Sequence, residues 1–519
     1  MALLDTLIES KWPLLASIVT IYLLRTILRY HKLARFGGPR WTGLSEIPHG
    51  IKAYTGEAHN WYRSVSEKYG PIARVGPNAL ITSSADVWLH INTKPGYKRS
   101  DWYFKACRAE YQRDHIFSQT DTKLHDERRK QIGPGYSGRE NYELESSIDA
   151  RLIELLTLIR TKYVSSPSGS SSTTTSSTVL MDLAKKIQFF TLDVISTVGM
   201  GRPFGMLRAD ADIDHYVRSS EEGLRIGNAF AALGLSWVAQ APVLGRWIAP
   251  QPTDVAGFGA MMGACFGAVD ERVREIKAVL NGGERKDMIA SFVKHGLVGD
   301  ELKSEVLETL IAGSDTTAGA LRGTMLYLMG NKRVCERLQA EIDQAVREGK
   351  VDGTGESVVP FAVAKQLPYL QAVIREGLRV WPPVRNILPK DIPAGGDTVM
   401  VDGKPVFLPG GAEIGYSALA MHRDKKVYGE DADMFRPERW FEEDPDKLAA
   451  MTKVNDLTFG HGRWQCLGKN VAQMELNKAI FELFRHFDWA LADPAKPWDI
   501  MNTLGIFVIN DMWVEVTAR

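Results

Sequence analysis

Residues 459–468 read Phe459-Gly460-His461-Gly462-Arg463-Trp464-Gln465-Cys466-Leu467-Gly468, and a strongly helical run over 469–487 follows them. The glycines at Gly460, Gly462 and Gly468 permit a tight loop and a close approach of backbone to whatever lies against it. The start of the next helix turns free N–H groups and a positive dipole end toward the sulfur, which favours a thiolate. A fixed anionic sulfur beside open space suits ligation of an iron held in a flat macrocycle. Taken alone, a cysteine in a Gly-rich loop is more often structural, so the rest of the chain has to decide.

The other cysteines offer no rival. Cys107, Cys265 and Cys335 stand where a buried free thiol is the default. Four cysteines in 519 residues cannot build a disulfide framework, which suits a folded part in reducing cytosol. With 44% hydrophobic and 24% charged residues, a disordered chain, a fibre and a polytopic membrane protein are excluded. Lys+Arg 63 balances Asp+Glu 63, so no nucleic-acid partner is expected: its basic footprint is missing.

The N-terminus differs from the rest. Residues 12–24 carry no charge, apolar residues resume after Arg25, and Arg29, His31, Lys32 and Arg35 follow. A spanning helix needs roughly 20 apolar residues, and Arg25 can snorkel to the interface. Residues 1–36 are therefore predicted to be a membrane anchor with its basic flank, the C-terminal side in the cytosol by the positive-inside rule. No small-residue cleavage site follows the apolar run. Gly37-Gly38-Pro39 is expected as the hinge before a single domain over 37–519.

Helical periodicity dominates downstream, at 142–163, 180–198, 270–280, 301–329 and 334–348. Short alternating runs at 72–75, 79–82, 399–401 and 405–408 read as strands. The Ser/Thr-rich tract 164–178 is predicted to be a disordered surface loop inside the domain. No G-x-S-x-G elbow and no H-E-x-x-H helix occurs. Gly257-Phe258-Gly259-Ala260-Met261-Met262-Gly263 has one residue too many for a dinucleotide fingerprint, and is expected as small residues at a helix–helix contact.

Three further groupings stand in order along the chain. His125 and Arg129, four apart, point the same way on a helix; by themselves they also fit a solvated charge run. Ala312-Gly313-Ser314-Asp315-Thr316-Thr317 interrupts a long apolar helix with hydroxyls that can bond back to carbonyls and bend it. By itself that is a polar notch. Glu376 and Arg379 share a helix face, Pro382-Pro383 ends the helix, and Phe435-Arg436-Pro437-Glu438-Arg439-Trp440 follows. An isolated pair of this kind is usually a surface ion pair.

Phe459, Gly462, Cys466 and Gly468 have the spacing of the haem-binding loop of cytochromes P450, and the chain resembles that family over nearly its whole length. Many members carry Arg or His two residues before the cysteine. Here Trp464 stands there, with Arg463 one position earlier, and an indole N–H can donate one hydrogen bond to a haem propionate. The resemblance implies a mainly α cytochrome P450 fold with small β-sheets behind an N-terminal transmembrane helix. It implies an iron protoporphyrin haem ligated by the Cys466 thiolate and bound by Phe459, Gly462, Arg463, Gly468, His125 and Arg129. Lys390 falls where relatives often place another propionate arginine, although Lys is the poorer bidentate partner. Thr316 and Asp315 take the positions of oxygen activation and proton delivery; Glu376, Arg379 and Arg439 take those of a buried ionic triad. The run from Gly462 to Trp489 is similar to fungal pisatin-demethylase-like members, many of which tailor secondary metabolites.

The implied activity is insertion of one oxygen atom from O2 into a C–H bond of a small hydrophobic molecule. The chain has no flavin or nicotinamide fingerprint, so the resemblance implies a separate NADPH-cytochrome P450 reductase on the same membrane, the endoplasmic reticulum, with the haem domain facing the cytosol. Trp102, Tyr103, Phe117 and the stretches 384–388 and 504–506 fall where relatives line the pocket. Arg385 is expected to pair with a propionate or with an acidic substrate group. The rival readings are a haem-thiolate isomerase or dehydratase that needs no reductant, and a non-catalytic haem-binding protein. Neither has a use for the pair Asp315 and Thr316.

Overall fold

The computed structural model describes the chain apart from residues 1, 112, 166–178, 279–286 and 356. The Ser/Thr-rich loop expected over 164–178 lies, but for its first two residues, outside the described residues. The fold is mainly α with small sheets. Its axis is the helix Gly299–Met329, whose buried residues include Leu302, Val306, Leu310, Leu321 and Met325 and point in several directions. A helix apolar on so much of its surface has to be enclosed. It packs against Leu183–Met200 on one side and against Pro368–Val380 and Lys469–His486 on others. Glycines permit two of these approaches: a Cβ at Gly313 would lie 2.6 Å from Ile195 Cγ1, and one at Gly377 would lie closer still to Thr324 Oγ1.

Five short strands form the largest sheet, in the order Ile72–Arg74, Ala79–Thr82, Glu413–Tyr416, Lys390–Asp391, Lys98–Arg99. The pairing of Ala79–Thr82 with Glu413–Tyr416 is parallel and the others are antiparallel. A three-stranded sheet pairs Trp513–Ala518 with Leu180–Asp182 and Phe487–Leu491, and two hairpins complete the β structure.

Four expectations need correction. The run 180–198 is a strand and then a helix: Leu180–Asp182 pairs with the C-terminal strand, and Asp182 caps Leu183–Met200 by accepting from Lys185 N–H at 3.4 Å. A partner from the far end of the chain decides so short a strand. As far as residue 278, the run 270–280 belongs to the longer helix Gly257–Ala278, which begins in the Gly-rich stretch; its last two residues lie outside the described residues. There Gly259 and Gly263 abut the carbonyls of Gln251 and Pro252 in a loop rather than a second helix. The segment 37–39 is clamped instead of hinged. Arg74 N–H donates to Gly37 O at 2.8 Å, and its guanidinium donates to the carbonyls of Arg29, Tyr30 and Gly43 at 3.1 Å. Leu33 and Phe36 are buried with Ile72, Leu80 and Trp88. Ahead of this clamp, Pro13–Lys32 is by length and composition apolar enough to cross a membrane, and none of it is buried.

Candidate active site

The Cys466 loop is closed by its own backbone. Cys466 N–H donates to Phe459 O at 2.7 Å and Gln465 N–H to Gly462 O at 3.1 Å. Gly460 and Gly462 have φ of 71° and 62°, a conformation that a side chain resists. Lys469–His486 starts directly behind, and the N–H groups of Gly468 and Lys469 point at the sulfur. Burial nevertheless raises the Cys466 thiol above its ordinary value; those two N–H groups, Arg129 and Lys469 oppose the rise without overcoming it. The start of the helix thus favours the thiolate, as the loop implied, without fixing it against burial. A coordinated metal would fix it outright.

Cys466 is exposed to a cavity of about 830 Å³. Phe459, Gly460, Leu467 and Gly468 wall it on the cysteine side; Ala312, Gly313 and Thr316 of the central helix wall it opposite. Thr316 Oγ1 donates to Ala312 O at 2.8 Å, the back-bonding expected of a mid-helix hydroxyl. Asp315 faces away from the cavity. Its Oδ1 accepts from Gln188 Nε2 at 2.6 Å, Gln188 in turn accepts from Arg322 at 2.8 Å, and Oδ2 is buried without a partner among the described residues. Burial holds the carboxyl up to about 6 against the pull of Gln188 and Arg322.

One end of the cavity is cationic. Arg99 and Lys390 are directly opposed partners in neighbouring strands, an arrangement that like charges disfavour. Both line the cavity with Arg129, and no carboxylate among the described residues pairs with any of the three. Burial lowers all three, Lys390 well below its ordinary value, and Arg99 Nε has no partner among the described residues. Trp464 lies between them: Lys390 Nζ is 3.5 Å and Arg99 4.9 Å from its ring centre, and the His125 ring is at 4.5 Å. Arg129 Nη1 donates to Gln465 O at 2.8 Å.

A loop thiol, a serviceable cavity and a threonine on the opposing helix thus meet in one place. A model of the family described as "Cytochrome P450" matches residues 38–513. The chain belongs to the cytochrome P450 family. Among its relatives, "Cytochrome P450 monooxygenase ABA1" of Pyricularia oryzae is 38% identical over 521 residues, covering 97% of this chain and 96% of the relative. "Cytochrome P450 monooxygenase aba1" of Botryotinia fuckeliana is 34% identical over 468 residues, 89% and 87% of the two chains. "Cytochrome P450 monooxygenase abl1" of Leptosphaeria maculans is 32% identical over 492 residues, 92% and 82% of the two chains. These fungal relatives agree with the fungal resemblance read from the sequence, and they mark the chain as a P450 monooxygenase.

The P450 cofactor is a cysteine-ligated haem, and the cavity fits it on its own chemistry. Two buried basic side chains, Arg99 and Lys390, and half-buried Arg129 have no carboxylate partner among the described residues and suit an anionic group at one end, and the Cys466 sulfur suits a metal on the cysteine side. Of the residues read from the sequence, Cys466, Phe459, Gly468, His125, Arg129 and Thr316 line this P450 cavity. Gly462 shapes the loop from outside it. Arg463 does not reach it: its guanidinium pairs with Asp126 at 3.1 Å on the surface, because Asp126 is one residue from His125 on the same helix turn. Tyr103, Phe117, Val384, Leu388, Leu504 and Ile506 line the cavity and Trp102 does not. Arg385 is also turned away, buried 3.9 Å from the Trp381 ring centre and donating to Pro382 O at 3.1 Å.

Behind the P450 cavity Glu376, Arg379 and Arg439 form one buried network. Glu376 accepts from Arg379 at 2.7 and 2.9 Å and from Arg439 Nε at 2.9 Å. Trp440 Nε1 and Arg436 N–H, which sequence reading did not assign, add bonds at 3.0 and 2.8 Å. Arg99 was missed as well. It sits in a two-residue strand with no periodicity to mark it, and only its pairing with Lys390 places it.

Proposed function

We propose that this chain is a membrane-anchored haem-thiolate monooxygenase that inserts one oxygen atom of O2 into a C–H bond of a small, largely apolar intermediate of fungal secondary metabolism. The observation that carries the reading is the meeting, in one cavity, of the Cys466 sulfur, three basic side chains without a carboxylate partner among the described residues, and the Thr316 hydroxyl. Bound haem supplies the oxygen chemistry. Cys466 gives it a thiolate, held in place by the N–H groups of Gly468 and Lys469. Arg99, Arg129 and Lys390 neutralise the carboxylates of the group, and His125 and Trp464 pack beside them. Phe459, Gly462 and Gly468 keep the loop close to its face.

Asp315, one residue from the Thr316 hydroxyl, is held up to about 6, so near neutral pH it is mostly ionised and poised to take up a proton and pass it on. Rotation of its side chain off Gln188 brings that proton to the cavity wall, where Thr316 positions it. The Glu376–Arg379–Arg439 network fixes the backbone behind the site. Residues 37–519 act as one haem domain. Pro13–Lys32 holds it at the endoplasmic reticulum membrane, facing the cytosol, where an NADPH-cytochrome P450 reductase supplies electrons.

The test is the difference spectrum of the reduced protein with carbon monoxide, for wild type and Cys466→Ala. The strongly red-shifted Soret band of thiolate ligation is expected in wild type and lost in the variant. Haem bound without that band would sink the assignment of Cys466. NADPH and O2 consumption coupled to product, with a reductase present, then separates a monooxygenase from a haem-thiolate isomerase or a non-catalytic haem protein.

A further inference from the structure

One carboxyl on the cavity wall has no part in the chemistry above. Glu308 lies on the central helix eight residues before Thr316, which is about 12 Å of helix, and both line the cavity. Glu308 Oε2 stands 3.5 Å from Nδ1 of buried His115, one small side-chain rotation from a hydrogen bond. His115 Nε2 is 3.0 Å from the Cys107 carbonyl, so that nitrogen carries the ring hydrogen and Nδ1 is a bare acceptor. Nδ1 has no hydrogen-bond partner among the described residues.

Arg99, Cys107, Tyr136 and Glu305 are the other charged or titratable groups that act on Glu308. Burial, then the neighbouring Glu305, push the Glu308 carboxyl up to about 8, and burial holds His115 down to about 4. Both are then neutral at pH 7. A neutral carboxyl has one O–H, and the only acceptor it needs is His115 Nδ1; its second oxygen is left as an acceptor on the cavity side. The wall around it includes Ile116, Phe117 and Ile311. Arg99, Cys107 and Tyr136 are polar neighbours on the same wall, yet an acceptor set among these apolar side chains still discriminates, because a ligand without a donor takes away its water and returns nothing.

We propose that Glu308, positioned by His115, determines specificity: its free oxygen accepts a hydrogen bond from a hydroxyl of the substrate and sets that hydroxyl about two helical turns from Thr316. The substrate class is a largely apolar molecule with a hydroxyl at one end, oxidised toward the other. This deepens the reading of the cavity as an oxidation site and rests on it.

The experiment uses the haem-loaded full-length protein in detergent with two probes, 1-dodecanol and dodecyl methyl ether, of which only the alcohol can donate. Calorimetric titration of wild type should give about tenfold tighter binding of the alcohol. Glu308→Gln should keep that preference, since its amide donates to His115 and accepts from the ligand as the neutral acid does. Glu308→Leu should lose it. A preference that survives in E308L, or that E308Q loses as fully as E308L, overturns the proposal. The infrared difference between wild type and E308Q at pH 7 should also show the C=O stretch of a protonated carboxyl, and its absence overturns the proposal independently of any ligand. Imidazole binding, read from the Soret shift in the same samples, separates the two levels. Imidazole that binds a wild type showing no alcohol preference sinks Glu308 alone, whereas a wild type that binds no imidazole sinks the oxidation-site reading beneath it.

Discussion

Glu376→Gln keeps the shape of a fully buried side chain and removes its charge. In the protein, Oε1 accepts from Arg379 Nη2, Arg439 Nε and Arg436 N–H, and Oε2 accepts from Arg379 Nε and Trp440 Nε1. An amide can serve one of these sets. At the other, its NH2 faces two donors; the almost completely buried Arg379 guanidinium loses its carboxylate partner, while Arg439 keeps Asp431 at 3.2 Å. Removing one partner from a buried ion pair costs about 3–5 kcal/mol. Total stabilities run about 5–15 kcal/mol, so the expected loss is a large share of what holds the fold. The assay is urea unfolding of the haem-loaded protein in detergent, followed by tryptophan fluorescence, with free energies from midpoint and slope. A loss below about 1 kcal/mol, the size of one ordinary hydrogen bond, would refute the reasoning. It would mean that the carbonyls of His422, Met434 and Tyr428, which also accept from Arg379 and Arg439, satisfy both guanidiniums without the carboxylate.

Asp315→Asn should separate stability from turnover. The folded protein holds this acid up to about 6 while the unfolded chain releases the proton near pH 4, so stability falls as pH rises between those values. The variant should therefore have the higher urea midpoint at pH 7, with the gap closing below about pH 4, while coupled product formation drops by about 10²-fold or more. Lys390→Met removes a buried cation from beside Arg99 and should stabilise the haem-free protein. It should also speed transfer of haem to an acceptor globin by about tenfold, the worth of one charged hydrogen bond; unchanged transfer would exclude Lys390 from holding the group. Truncation to residue 29 should release the protein from membranes with the urea midpoint intact, since the carbonyls used by Arg74 and the core residues Leu33 and Phe36 remain. Truncation to residue 37 should cost about 4 kcal/mol or more, because it strips both core side chains.

What was legible beforehand was local. The Cys466 loop can be read because its demands fall on consecutive residues: left-handed φ at Gly460 and Gly462, and a helix that must begin directly after Gly468. The central helix can be read because 31 residues repeat one period, and Thr316 falls on the cavity wall by counting along it. Arg463 shows the limit of adjacency, since its place three residues before the cysteine does not reveal that Asp126 draws it to the surface. Asp315 shows the same limit, because its direction is set by Gln188 on another helix.

The sequence by itself determined the family and singled out the candidate thiol, because both are written in short-range spacing. Only the tertiary structure decided which charges meet. Arg99 and Lys390 become neighbours through one strand register, Glu308 meets His115 across a helix and a loop, and Glu376 gains Trp440 from 64 residues away. The physical reason is that burial changes the worth of a charge far more than its chemical identity does. Burial follows from what packs against a residue, and no spacing along the chain records that.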